Sequence, residues 1–190
     1  MDTMAYLAHK ATGLPRNRVI GMGGALDSAR FKYRLAEALG CPSSDVEGMV
    51  IGGHSDTGMV PLIGKAVRNS VPVSEFLSEE RMSELVEATK VGGATLTGLL
   101  GTSAWYAPGA AVSAMVQAIA QDSQKMFPCS ALLDGEYGLS DLSIGVPCIL
   151  GRNGIEKIVE ISLTDAEKAK LEESAAGVKK TNALLDGVIA

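Results

Sequence analysis

Leu26-Asp27-Ser28-Ala29-Arg30-Phe31 and, fewer than thirty residues later, Gly52-Gly53-His54-Ser55-Asp56-Thr57 decide how this chain is read. Asp27 and Arg30 are three positions apart, so a helix opening here presents both on one face. His54 follows the apolar run Gly48-Met49-Val50-Ile51 and sits in a glycine-rich loop, the kind of place where a scaffold strand ends and chemistry begins. The two segments together supply a carboxylate, a guanidinium and an imidazole. Such a set can grip an anionic ligand through the planar fork of arginine while an aspartate orients a histidine that moves a proton. Taken singly, each has a commoner reading: a surface ion pair for Asp27 and Arg30, a packed or solvated loop histidine for His54. Their combination points to a site.

Working outward, Met4, Leu7, Ala8 and Ala11 have helical spacing and predict a helix over 3–11, closed by Gly13 and Pro15. Arg18-Val19-Ile20-Gly21-Met22 reads as a short strand with an unpaired edge. Gly21-Met22-Gly23-Gly24 reads as tight backbone packing rather than a phosphate cradle. A helix is predicted from Asp27 to Leu39, a strand over 45–51, and a helix entered near Ser78 with Met82, Leu85, Val86 and Thr89 inward. Gly92-Gly93 reads as punctuation, and a small-residue helix over 109–121 as central or at a subunit contact. Phe127 to Leu133 pairs with Ile144 to Leu150, and Arg152-Asn153-Gly154 is a hairpin turn into 155–161. Thr164-Asp165-Ala166-Glu167 is a capping box opening a last helix, with Leu171, Ala175, Val178, Leu185 and Ile189 along one stripe.

The composition bounds the function. At 190 residues the chain can bury a substantial core, and 46% hydrophobic with 21% charged residues argues against disorder. A net charge of -5 and the lack of a basic stripe exclude a nucleic-acid groove. No apolar run is long enough to span a bilayer, which predicts a soluble, cytoplasmic protein. Cys41, Cys129 and Cys148 lack metal or redox spacing and read as buried thiols in a reducing compartment; no metal is implied.

The order and spacing of the motifs resemble the lactate/malate dehydrogenase family of NAD-dependent 2-hydroxy-acid dehydrogenases. The matching text is Gly13-Leu14-Pro15-Arg16-Asn17-Arg18-Val19-Ile20-Gly21-Met22, then Leu26 to Phe31, then Gly53-His54 with Asp56-Thr57 and Met59-Val60-Pro61-Leu62. Ser103-Ala104-Trp105-Tyr106-Ala107-Pro108-Gly109-Ala110-Ala111 is similar to the Tyr-Ala-Pro helix start of the malate branch. The resemblance implies an α/β (α+β) fold: the family's C-terminal catalytic domain over 25–190, an antiparallel sheet packed by helices, preceded at 1–24 by the last helix and strand of a nucleotide-binding domain. It also implies reversible oxidation of (S)-malate to oxaloacetate with NAD in the complete enzyme. His54 would accept the hydroxyl proton, Asp27 hold its ring, Arg30 bind the substrate carboxylate, and Ala104 to Pro108 line the substrate end, with Pro108 at the nicotinamide face.

The family's amino-terminal nucleotide fold, a strand, glycine-rich turn and later acidic residue, is not found in this sequence. The chain therefore reads as a carboxy-terminal half, expected to bind no NAD and to turn nothing over alone. Relatives with the Tyr-Ala-Pro helix read His-Gly-Asp-Thr-Met, whereas this chain has His54-Ser55-Asp56-Thr57-Gly58-Met59. The alternatives are a non-catalytic oligomerising module, a lactate rather than malate enzyme, and a hydrolase using Ser28 or Ser55, although neither serine lies in a Gly-x-Ser-x-Gly elbow. The small-residue helix and the exposed first strand point to a homo-oligomer, a dimer or tetramer.

Overall fold

The computed structural model describes residues 1–185, so Ile189 of the expected final stripe lies outside the described residues. The chain opens with helices α1 (Asp2–Thr12) and α2 (Gly23–Leu39), which both close on left-handed glycines, Gly13 and Gly40. Both stops follow from glycine's tolerance of positive φ. Helix α2 starts ahead of Asp27, and this shortens the strand expected over 18–22. Arg16–Arg18 forms a 3-10 turn, Met22 is already in a helical conformation, and one antiparallel bridge remains between Gly21 and Ser130. The two residues exchange both backbone hydrogen bonds at 2.9 Å, so one side of the chain is paired at Gly21.

Next come the short strands β1 (Val46–Glu47), β2 (Val50–Gly52), β3 (Met59–Pro61), β4 (Val67–Arg68) and β5 (Val71–Pro72). The single strand expected over 45–51 is thus two, in different sheets: β1 joins β4 and β5, and β2 joins the main sheet. The break falls where Gly48 passes α2 so closely that a Cβ would lie 3.0 Å from Phe31 and 3.2 Å from Leu35. Helices α3 (Glu79–Lys90), α4 (Gly92–Leu100) and α5 (Tyr106–Ala120) follow. Ser78 caps α3, its hydroxyl accepting from the Arg81 amide at 3.2 Å, with Leu85 and Thr89 buried. Gly92-Gly93 does not punctuate but begins α4, and α5 starts at Tyr106 rather than Gly109. Pro108 lies in the first turn of α5, where its missing amide costs no hydrogen bond.

Strands β6 (Lys125–Asp134), β7 (Ser140–Gly151) and β8 (Gly154–Ile158) complete the main sheet, antiparallel throughout, in the order β3-β2-β7-β6 with β8 also on β7. The Arg152-Asn153 turn joins β7 to β8 as the sequence predicts. One core, including Ile144, Val146, Leu150, Leu171 and Ala175, fills the space about the sheet; a second, including Phe31, Leu35, Val50 and Leu85, lies under α2. Cys129 and Cys148 are buried free thiols, Cys41 partly so. The neighbouring Cys148 and burial push the Cys129 thiol's pKa upward, which leaves it protonated and inert.

Helix α6 (Asp165–Asn182) packs on β7, β2 and α1. Its capping box is complete: Glu167 N donates to Thr164 Oγ1 at 3.2 Å, and Thr164 N donates to Glu167 Oε2 at 2.9 Å. Thr164→Ala removes one half of that exchange and should lower stability by about 1 kcal/mol in urea unfolding, with an unchanged denaturant slope.

Candidate active site

Three side chains meet at the start of α2. Asp27 is buried, 1% exposed, and its two carboxylate oxygens are divided between two partners. Oδ2 faces His54 Nδ1 at 2.6 Å, and Oδ1 accepts from Arg30 Nη1 at 3.1 Å. An ionised carboxylate accepts only, so opposite it Nδ1 of His54 is the donor, and a ring that is neutral then has its lone pair on Nε2. Arg30 spends one of its five donors on Asp27, and the others remain for an anion.

Each neighbour has a reason to be there. Ser28, one residue past Asp27, accepts from the Val50 amide at 2.8 Å and ties β2 to α2. The Val50–Gly52 strand therefore carries the His54 loop toward Asp27. The backbone beyond it is held twice more: Gly53 N donates to Ser174 Oγ on α6 at 2.8 Å, and His54 N donates to Asp2 Oδ2 on α1 at 2.7 Å. Helix α4 begins against Arg30, where a Cβ on Gly93 would stand 3.3 Å from Nη1. This is a packing reason for Gly93, which helix propensity alone disfavours.

Arg30 and His54 open onto a cavity of about 330 Å³ whose other walls include Met22, Leu26, Ala104 and Pro108. The structure thus brings together His54, Asp27, Arg30 and Pro108. Asp56 is exposed on the same rim. Trp105 and Tyr106, within the stretch expected to line this end, stand 63% and 85% exposed. The serines of the hydrolase reading are occupied: Ser28 Oγ holds Val50, Ser55 Oγ accepts from the Gly58 amide at 3.0 Å, and the His54 ring is bonded to Asp27 instead. Sequence reasoning missed Asp2, whose only signal was an acidic residue at a helix start. Among the described residues, no group of three or more His, Cys, Asp or Glu could hold a metal ion.

An antiparallel sheet packed by helices, with a histidine, an aspartate and an arginine about one small cleft, defines an α/β domain with a candidate active site. Residues 24–184 match the family described as lactate/malate dehydrogenase, alpha/beta C-terminal domain. The malate dehydrogenase of Bacteroides fragilis is 65% identical over 188 residues, 99% of this chain and 60% of the relative. Among solved structures, malate dehydrogenase from Salinibacter ruber superposes with TM-score 0.95 at 45% identity, over 99% of this chain and 61% of that one. A Cryptosporidium parvum lactate dehydrogenase complexed with lactic acid and nicotinamide adenine dinucleotide gives TM-score 0.94 at 38% identity, over 97% and 60%. The chain belongs to the lactate/malate dehydrogenase family, and it spans about 60% of the length of the curated relatives it matches.

The loop after His54 accommodates its two departures from the His-Gly-Asp-Thr-Met pattern together. The added Gly58 closes a turn back to Ser55, donating to its carbonyl at 2.9 Å and to its hydroxyl at 3.0 Å. A serine in place of glycine supplies that second acceptor.

Gly23 lies tight against His54: a Cβ on Gly23 would lie 2.6 Å from His54 Cβ and 3.0 Å from Nδ1. Gly23 is therefore packing backbone, as the sequence reading had it. Gly→Ala inside a helix ordinarily stabilises by up to about 1 kcal/mol. Gly23→Ala should instead destabilise, by about 1–3 kcal/mol, and push the ring off Asp27. Gly177→Ala on α6, with nothing among the described residues within 4 Å of the new methyl, should show the ordinary gain in the same urea titration.

Proposed function

We infer that this chain is the catalytic portion of an NAD-dependent malate dehydrogenase. The observation that carries the reading is the Asp27 carboxylate shared between the His54 ring and the Arg30 guanidinium at the mouth of a small cavity. Arg30 grips the carboxylate beside the reacting carbon with its unspent donors. His54 Nε2 takes the hydroxyl proton of malate, and in the reverse direction returns it to oxaloacetate. Asp27 holds the ring in the accepting tautomer and stabilises the imidazolium that forms. NAD, when bound, supplies the acceptor for the hydride. On this reading Asp27 and His54 are the catalytic pair, Arg30 is the substrate anchor, and Pro108 stands at the nicotinamide face.

The residues present fit one end of that cofactor and not the other. Ala104, Pro108 and Met22 give the cavity an apolar wall suited to a flat ring beside a small acid. The glycine-rich start of α2 offers no phosphate cradle, because Gly23 and Gly24 pack against His54 and Pro128. We assign residues 1–24 to the end of a nucleotide-binding domain and 25–190 to the substrate domain. Malate is preferred to lactate because the relatives at 57–65% identity are malate dehydrogenases.

A second copy of the chain is the proposed partner, in a dimer or tetramer. Residues 91–121 contain no charged residue or histidine, and Leu99, Trp105, Tyr106 and Val116 in this stretch stand exposed. An uncharged surface of this kind is what self-association buries. No helix among the described residues is long and apolar enough to cross a membrane, and free buried thiols suit the cytoplasm.

The 190-residue polypeptide alone should form no NADH from malate and show no NAD binding by calorimetry. Addition of a separately produced amino-terminal portion of a relative should restore malate-dependent NADH formation; turnover by the pure chain, or none after reconstitution, contradicts the assignment. In the reconstituted enzyme Arg30→Lys keeps the charge but loses the fork, and KM for malate should rise at least tenfold, about 1.4 kcal/mol of binding.

A further inference from the structure

Asp2 is a buried carboxylate at the first turn of α1, 6% exposed, with no part in the proton transfer described above. Its two oxygens are divided as those of Asp27 are. Oδ1 accepts from the Ser130 hydroxyl on β6 at 2.7 Å, and Oδ2 accepts from the His54 amide at 2.7 Å. Ser130 is itself fixed by the two-way backbone exchange with Gly21 at 2.9 Å, so its hydroxyl is presented from a rigid part of the sheet. Asp2 thus bridges three elements of the chain. Both donors are uncharged, and the amide ends of α1 favour a negative charge at this position. Among the described residues two neutral donors meet this carboxylate, and each would leave a buried charge under-satisfied if it were lost.

We propose that Asp2 is a positioning residue for His54: its carboxylate locks the His54 backbone to Ser130, and so sets the point from which the imidazole reaches Asp27. One carboxylate holds the main chain and the other the ring. Without the first, the His54 backbone loses its tie to α1 and β6, and the loop is held by the Ser174 bond to Gly53 and the Asp27 contact to the ring. The catalytic meaning rests on the reading of His54 as proton acceptor, but the geometric claim does not.

The test is amide hydrogen exchange and ring-proton NMR on the isotopically labelled chain. In the parent, the His54 amide should exchange at least about tenfold more slowly than that of exposed Thr57. Asp2→Ala should abolish this protection and shift the His54 ring resonances, while β7 and α6 amides keep theirs. Asp2→Asn should rescue both, because its amide oxygen accepts from His54 and its NH₂ group donates to the Ser130 hydroxyl. Should Asp2→Ala fail to fold, Ser130→Ala, which frees one oxygen of the clamp, should still speed His54 exchange several-fold. The proposal is overturned by a His54 amide exchanging as fast as Thr57 in the parent, by a folded Asp2→Ala with unchanged His54 signals, or by an Asp2→Asn as defective as Asp2→Ala. Failure of the reconstituted enzyme to turn over malate would overturn the dehydrogenase reading and leave these results standing.

Discussion

A carboxylate with almost no access to water must find donors inside the protein, and Asp27 finds two, one for each oxygen. Burial without them would cost several kcal/mol. The imidazole of His54 and the guanidinium of Arg30 supply the compensation and are oriented by it. The direction of α2, the placement of the β2 loop and the close start of α4 are all consistent with this single requirement. Removing Asp27 would leave a partly buried cation and a ring with no fixed tautomer, so the fold and the proposed chemistry share the same anchor.

Small residues are what let the anchor form. Gly23 allows the ring to lie on the first turn of α2, Gly93 lets α4 approach the guanidinium, and Gly48 lets the chain cross Phe31 and turn from one sheet to the other. Serines do the complementary work of tying strand to helix: Ser28 to Val50, Ser174 to Gly53, Ser130 to Asp2. The loop bearing His54 is consequently held by α1, α2 and α6 together, although it is rich in glycine.

Much of this was legible in the residues. The Thr164 and Glu167 capping box, the Arg152-Asn153 hairpin and the glycine stops at 13 and 40 follow from local chemistry that tertiary context did not override. The pairing of Asp27 with both Arg30 and His54 was legible because three complementary groups are rare in so short a span. What failed did so through contacts distant in sequence. A strand over 18–22 fits local propensity, but Gly23 and Gly24 pack under His54 and Pro128 and draw α2 forward. Gly92-Gly93 looks like a break until Gly93 is seen to pack against the Arg30 guanidinium. Asp2 looks like an ordinary helix-start acid because its partners, His54 and Ser130, are 52 and 128 residues away.

The most direct test of this account is the tautomer of His54, read from the ¹⁵N chemical shifts of its two ring nitrogens near neutral pH. With Asp27 as the acceptor, the neutral ring should carry its proton on Nδ1, in a hydrogen bond to Asp27, with Nε2 bare. A neutral ring protonated on Nε2 would mean that Asp27 does not orient it as described, and would contradict the proposed proton acceptor.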